Sequence, residues 1–179
     1  MKTLSSVPFF PYSIKGGVFL PQIRTYNRKK AVDYAEKWAY ARNPAYYDFT
    51  NIGGDCTNFI SQCLYAGSGV MNFAPEVGWY YKSPADRAPA WTGVEFLYRF
   101  LITNREKAVF ATEETAADMA LGDVVQLGDD TRFYHSLLVT GIENGEIYVA
   151  AHSFNAFMRP LSSYIFSRAR FLHIGGVFV

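Results

Sequence analysis

The chain has 179 residues, half of them hydrophobic and 17% aromatic, with 17 basic and 16 acidic side chains for a formal net charge of +1. That is material for one well-packed domain, without the basic footprint of a nucleic-acid binder. No window approaches the roughly 20 apolar residues of a membrane span, and Pro8 and Pro11 break the only apolar stretch at the start, so no export signal is expected. Such a chain fits a cytoplasmic protein or a trimmed secreted one.

Residues 1–25, punctuated by Pro8, Pro11, Gly16, Gly17 and Pro21, are expected to form an extended arm or short strands packed on a domain that runs from 26 to 179. From Asn27 to Arg42, Ala31, Tyr34, Ala35, Trp38 and Ala41 recur at helical spacing, with charged residues mostly on the other face. A loop from Tyr46 to Gly54 leads into a second helix, for which Asp55 is the expected N-cap and Phe59, Ile60, Cys63 and Leu64 the buried stripe. Gly67 and Gly69 end it. An aromatic loop through Trp79, Tyr80, Tyr81 and Trp91 precedes a third helix near Gly93 to Ile102.

After Thr115 the period becomes two. Strands are expected at Asp123–Leu127, Tyr134–Ile142 and Glu146–Ser153, the last two joined by the hairpin turn Asn144-Gly145, with a final strand near Phe171–Phe178. Helices followed by an antiparallel meander define an α+β domain.

Cys56 begins the second helix behind Gly53-Gly54. Unpaired N–H groups and the helix dipole favour a thiolate there, and the Cys56 N–H is a candidate oxyanion donor. The neighbouring Asp55 carboxylate opposes ionisation of the thiol unless its charge is taken up in capping, for instance by accepting from Asn58 N–H. Cys63 lies seven residues on, about 10 Å along the helix, too far for a disulfide. Both thiols are therefore expected free, with Cys63 a core residue.

If Glu143 faces Glu146, His135 lies opposite Phe154 and Leu137 opposite His152. His135 and His152 then share one face of the sheet as diagonal neighbours. A β-bulge in the hairpin would undo this parity. A base at His135 and an orienting residue at His152 would complete a nucleophile–base–orienter set with Cys56. His173 and Asp123 are expected to be structural, whereas Asn58 and Gln62, one helical turn apart, are equally suited to pointing toward the cleft and to solvent-facing or structural bonding. Trp79, with its aromatic neighbours, is a candidate for lining a substrate groove.

The run Gly53-Gly54-Asp55-Cys56-Thr57-Asn58-Phe59-Ile60-Ser61-Gln62 resembles the nucleophile motif of the bacterial putative amidase domain family. Tyr26-Asn27-Arg28, Leu121-Gly122-Asp123-Val124-Val125, His135-Ser136, and Ala151-His152 followed by Arg159-Pro160-Leu161 match in order and spacing, so the resemblance covers about Tyr26 to Leu161. That family is similar to NlpC-type cell-wall peptidases, a circularly permuted branch of the papain-like fold. The resemblance implies Cys56 as nucleophile, His135 as general base and acid, His152 as orienter, and no cofactor or metal. It also implies that Tyr46 or Tyr47 helps bind the scissile carbonyl. With Asp55 and Trp79 these complete the candidates around that carbonyl. Thr57-Asn58 stands where NlpC enzymes carry Ser-Gly, which agrees with the amidase motif and weakens the case for cell-wall specificity.

The partner implied is a peptide or other amide: a peptidoglycan stem peptide, a protein tail and a small amide all fit a neutral, aromatic-rich groove. Three further arrangements are compatible with the same residues. These are acyl transfer to an amine, a zinc site made by Cys56, His135 and His152, and a binding module on the same fold without activity.

Overall fold

The computed structural model describes residues 12–15 and 18–179, with side chains from Pro21 onward. The expected N-terminal arm falls largely outside the described residues. What is described of it is a hairpin of β1 (Tyr12–Lys15) and β2 (Val18–Pro21), followed by β3 (Ile23–Arg24).

Asn27 caps helix α1 (Arg28–Trp38) by accepting a hydrogen bond from Lys30 N–H at 3.0 Å. Helix α2 (Cys56–Ser68) stops at Gly69, whose φ of +65° is the left-handed conformation that glycine takes without cost. Two further helices follow, α3 (Pro89–Thr92) and α4 (Val94–Thr103).

The expected stripe on α2 understates its burial, because every residue from Cys56 to Leu64 is buried. Its polar side chains are each met by a partner from the elements around it. Tyr34 OH of α1 donates to Gln62 Oε1 at 2.7 Å, Trp79 Nε1 to Ser61 Oγ at 3.0 Å, and Trp91 Nε1 to Asn58 Oδ1 at 2.9 Å. These bonds let a polar helix face sit in a low-dielectric interior without the penalty of unsatisfied groups.

Among the described residues the main sheet has seven antiparallel strands. Strands β4 (Ala108–Glu114), β5 (Val124–Gly128), β6 (Phe133–Glu143), β7 (Glu146–Ala151), β8 (Ala156–Pro160) and β9 (Arg168–Phe178) join β3 in the order β3-β9-β5-β6-β7-β8, and β4 also pairs with β9. Strands β4 and β8 were not expected from the sequence. Only the first half of β4 is buried, so its alternation is weak, and β8 ends on Pro160 at the sheet edge, where a proline's missing N–H goes unnoticed.

Leu138 and Ala150 face α1, α2 and α4 within the larger core. Leu137, Val139, Val149 and Ala151 face away into a second cluster closed by Met119 and Leu161. The central strands are thus covered on both sides, and the overall class is α+β as expected.

The hairpin departs from the expected register. Glu143 pairs with Glu146 and Gly141 with Tyr148, but Val139 pairs with Val149 and Leu138 with Ala150. One extra residue, Thr140, is inserted into β6. Continued along β6, this register sets Ser136 rather than Leu137 across from His152. His135 and His152 therefore belong to opposite faces, which corrects the parity expected from the turn.

Helix α2 passes very close to Tyr26: a Cβ at Gly67 would stand 2.3 Å from Tyr26 Cε2 and 2.9 Å from the Asn27 carbonyl oxygen. Gly67→Ala should cost about 1–3 kcal/mol by overpacking, read as a lowered midpoint with unchanged slope in urea denaturation; unchanged stability would mean that Tyr26 moves aside freely.

Candidate active site

Beyond Ala151 the chain leaves β7 in a turn, so the β6 backbone around Tyr134 and Ser136 is not paired by β7. The start of α2 abuts this edge. Cys56 Sγ lies 4.0 Å from the Tyr134 carbonyl oxygen and 3.8 Å from Thr57 Oγ1. Between Tyr134 and Ser136 stands His135. Cys56 and His135, each 8% exposed, line one cavity of about 570 Å³ together with Gly53, Gly54, Arg159 and Tyr164. A second cavity of about 380 Å³, lined by Thr92, Gly93, Glu95 and Arg132, opens on the other side of the same Gly53, Gly54, Cys56 and Tyr134. The sulfur sits where the two cavities meet.

Burial pushes the Cys56 thiol up, an effect that its hydrogen-bond donors only partly offset and that the Asp55 charge reinforces. Burial, with the positive charge of Arg159, pulls His135 down to about 4. At neutral pH the pair is therefore a thiol beside an uncharged imidazole. His135 Nε2 is buried and makes no hydrogen bond, and so is the Tyr164 hydroxyl in the same cavity.

Gly53 and Gly54 have φ of +85° and +102°. A Cβ at Gly53 would meet nothing within 4 Å, so these glycines supply a left-handed path into α2 rather than room for close approach.

Asp55 does not cap α2 in the expected manner, since no side chain accepts from the first-turn N–H groups. Its carboxylate instead accepts from Phe49 N–H at 3.0 Å, from Asn58 Nδ2 at 2.8 Å and from His152 Nδ1 at 2.6 Å, with Arg42 Nε 3.5 Å away. His152 Nε2 reaches the Trp38 carbonyl oxygen at 2.9 Å. A carbonyl only accepts, so Nε2 carries a proton. Both ring nitrogens are then committed, and the ring is stacked on Phe59 with centroids 3.8 Å apart. No hydrogen bond joins His152 to His135. The expected orienting role is thus replaced by a different one: His152 and Asp55 lock the start of α2 to the end of β7 and to α1.

The aromatic candidates lie elsewhere. Trp79 is fully buried and packs on Trp91 at 5.0 Å and on Phe100 at 5.8 Å. Tyr46 stacks on Trp91 at 5.8 Å, and Tyr47 sits edge-on to Phe49 with its carbonyl oxygen taken by Asn58 Nδ2. None of the three lines either cavity beside Cys56. Asp123 and His173 are structural as expected: the buried Asp123 carboxylate accepts from Arg28, His173 and Ile174 N–H. Asn58 and Gln62, which the sequence left open between cleft and structural bonding, are tied to Asp55, Trp91 and Tyr34 and line neither cavity. Arg159 and Tyr164 are the cavity residues that sequence reasoning passed over. Arg159 stood within a matched motif, but nothing in its spacing said which way it would face.

Among the described residues no three His, Cys, Asp or Glu side chains converge as metal ligands. The zinc arrangement fails on the same grounds as the triad, because His152 has no free nitrogen. Nor is any helix among the described residues long and apolar enough to cross a membrane.

A family model described as a putative amidase domain matches residues 25–174, and the chain belongs to that family. It is 34% identical over 139 residues to the uncharacterized protein YhbB of Bacillus subtilis (strain 168), covering 75% of this chain and 43% of that protein. It is 28% identical over 147 residues to the uncharacterized protein YjcM of the same organism, covering 77% of this chain and 33% of YjcM. The chain thus spans less than half the length of these curated relatives. No solved structure matches.

Asp55→Ala and His152→Ala should each destabilise the fold by about 3–5 kcal/mol, since each leaves a buried polar partner unmatched. The double variant should cost clearly less than the sum; additive losses in urea denaturation would show that the two are not coupled. For His135, a folded-state value of about 4 against 6.5 for the free side chain means that the unfolded chain takes up this proton first as pH falls. Its contribution, about 3 kcal/mol, is present above pH 6.5 and is lost on going down to about 4. His135→Gln should flatten the pH–stability curve across that window, and an unchanged curve would refute the burial argument.

Proposed function

We propose that the chain is a cysteine-dependent amide hydrolase of papain-like chemistry, with Cys56 as nucleophile and His135 as general base and acid. The observation that carries this reading is the meeting of a helix-start thiol and a buried, unbonded imidazole in one cavity. The papain-like assignment is supported by the arrangement of a cysteine on a central helix and a histidine on an antiparallel strand. Membership of an amidase family agrees with amide hydrolysis as the reaction class.

On this reading His135 takes the Cys56 proton as the sulfur attacks the carbonyl carbon. The oxyanion so formed is received by the uncapped first-turn N–H groups of α2, Cys56 N–H first. The imidazolium then gives its proton to the leaving nitrogen as the C–N bond breaks, leaving a thioester. Water attacks the thioester, His135 takes a proton from it, the C–S bond breaks, and the thiolate recovers a proton from the imidazolium. Asp55 and His152 take no part in these transfers and act as positioning residues through α2. The sulfur at the junction of two cavities gives the acyl part a place on one side and the leaving amine a place on the other.

The test uses a peptidyl chloromethyl ketone and a fluorogenic peptide-amide panel that includes peptidoglycan peptides. Alkylation should fall on Cys56 and not on the fully buried Cys63, as read by mass spectrometry. Cys56→Ser should abolish turnover with the circular dichroism spectrum intact. His135→Gln should lower turnover by about 10²–10⁴-fold. Retained turnover in the Cys56 variant would overturn the assignment.

A further inference from the structure

The larger cavity has a charge that the proposed chemistry leaves unused. Among the described residues, Arg159, on β8, is its only cationic lining residue, and none of the acidic ones lines it. The guanidinium is held in place from one side: Nε donates to Ser163 Oγ at 2.9 Å and an NH2 hydrogen to the Ser163 carbonyl oxygen at 3.3 Å, while Ser163 Oγ donates to the Pro160 carbonyl oxygen at 2.7 Å. Its central carbon lies 4.1 Å from the centroid of the Tyr164 ring. Among the described residues it has no carboxylate partner and its second terminal nitrogen makes no hydrogen bond. Other inward-facing arginines are matched: Arg28 by Asp123, Arg42 by Asp48 and Asp55, Arg170 by Glu95. Beside Arg159 in the same cavity are two buried polar atoms without partners, Tyr164 Oη and His135 Nε2.

We propose that Arg159 is the anion-recognising group of this site, and that the part of the substrate seated in the larger cavity carries a carboxylate. The proposal rests on the amidase reading and deepens it by naming the substrate class. A guanidinium fixed by stacking and by two bonds to one residue loses little entropy when it receives an acid, and a charge-assisted pair is the strong form of such contacts. The Tyr164 hydroxyl is a second donor for the same group. Phe154 and Ile165, 77% and 97% exposed at the rim, offer apolar contact to the rest of that segment. The smaller cavity holds both Arg132 and Glu95 and selects no sign of charge. Arg159 also holds His135 down, so a carboxylate neutralising it would make His135 a stronger base when the correct substrate is bound.

The experiment compares N-acetyl-glutamyl with N-acetyl-glutaminyl coumarin amides, both enantiomers, and the matching internally quenched peptides with the acid on the leaving side. Each pair differs by a carboxylate against a carboxamide of nearly the same shape. At least one acidic member should be turned over with kcat/KM about tenfold or more above its neutral partner. Arg159→Met should lower the acidic member by about 10–100-fold relative to its neutral partner and so bring the two rates of each pair together, with Arg159→Lys in between. Equal rates within every pair, or equal losses on Arg159→Met, would overturn the proposal. Binding of the same probes to Cys56→Ala, followed by calorimetry with and without Arg159→Met, keeps the two readings apart. An acid preference that depends on Arg159, without turnover by the intact protein, would uphold the anion site and sink the hydrolase; turnover without that preference would do the reverse. If Arg159→Met does not fold, the intact protein's preference and the Arg159→Lys variant decide.

Discussion

The Asp55 carboxylate gathers a loop N–H from Phe49, a helix side chain from Asn58, the His152 ring from the end of β7, and the Arg42 guanidinium. Everything around Cys56 depends on this convergence. A buried carboxylate is costly unless its lone pairs are filled, and here the groups that fill them come from the approach loop, from α2 itself and from His152, 97 residues further on. Satisfying one charge therefore requires that the approach loop, α2, and the end of β7 arrive together. His152 passes the constraint on to α1 through the Trp38 carbonyl. Ser153, in a left-handed conformation at φ +78°, adds a further tie by accepting from Asp55 N–H at 3.2 Å.

A second run of polar contacts fixes α2 from the sheet side. Thr57 Oγ1 is 3.0 Å from Ser136 Oγ, which accepts from Gln126 Nε2 at 3.0 Å; Gln126 Oε1 accepts from Arg170 Nε at 2.8 Å, and Arg170 pairs with Glu95. The chain of bonds crosses β6, β5 and β9 beneath the helix. With Asp55 on one flank and Thr57 on the other, the residue between them has little freedom to slide or turn. On the proposed reading, a thiol that must meet one imidazole benefits from such confinement, because small displacements of reacting groups cost rate steeply.

Much of this was legible in the sequence, and the exceptions have physical causes. The helices announced themselves by period, and Gly69 ends α2 as its residue type predicts, whereas the expected cap Asp55 is taken up with other partners and the cap that does form, Asn27, went unread. The thiol's place at the start of α2 followed from Gly53-Gly54-Asp55-Cys56, and His135 followed from its place on a strand. The role of His152 did not, because it hinged on Thr140, an unremarkable threonine that adds one residue to β6 and reverses the facing of everything beyond it. The bulge did leave one trace, Gly141 directly after Thr140, but an isolated glycine inside a strand marks a close backbone approach as readily as a bulge, and here a Cβ would also meet Met158. The aromatic residues misled for a related reason. Trp79 and Tyr46 are as suitable for a groove as for a core, and only the enclosure of α2 by Ser61, Asn58 and their tryptophan partners decides between them. Arg159 was hidden by the edge strand that carries it.

The other thiol has a use of its own. Cys63 is wholly enclosed at the middle of α2 and its ionisation is strongly suppressed by burial. It can meet a reagent only in molecules whose central helix has come apart from the sheet. A single chain thus contains two clocks, one at the mouth of α2 that counts encounters with the folded form and one at its centre that counts excursions out of it.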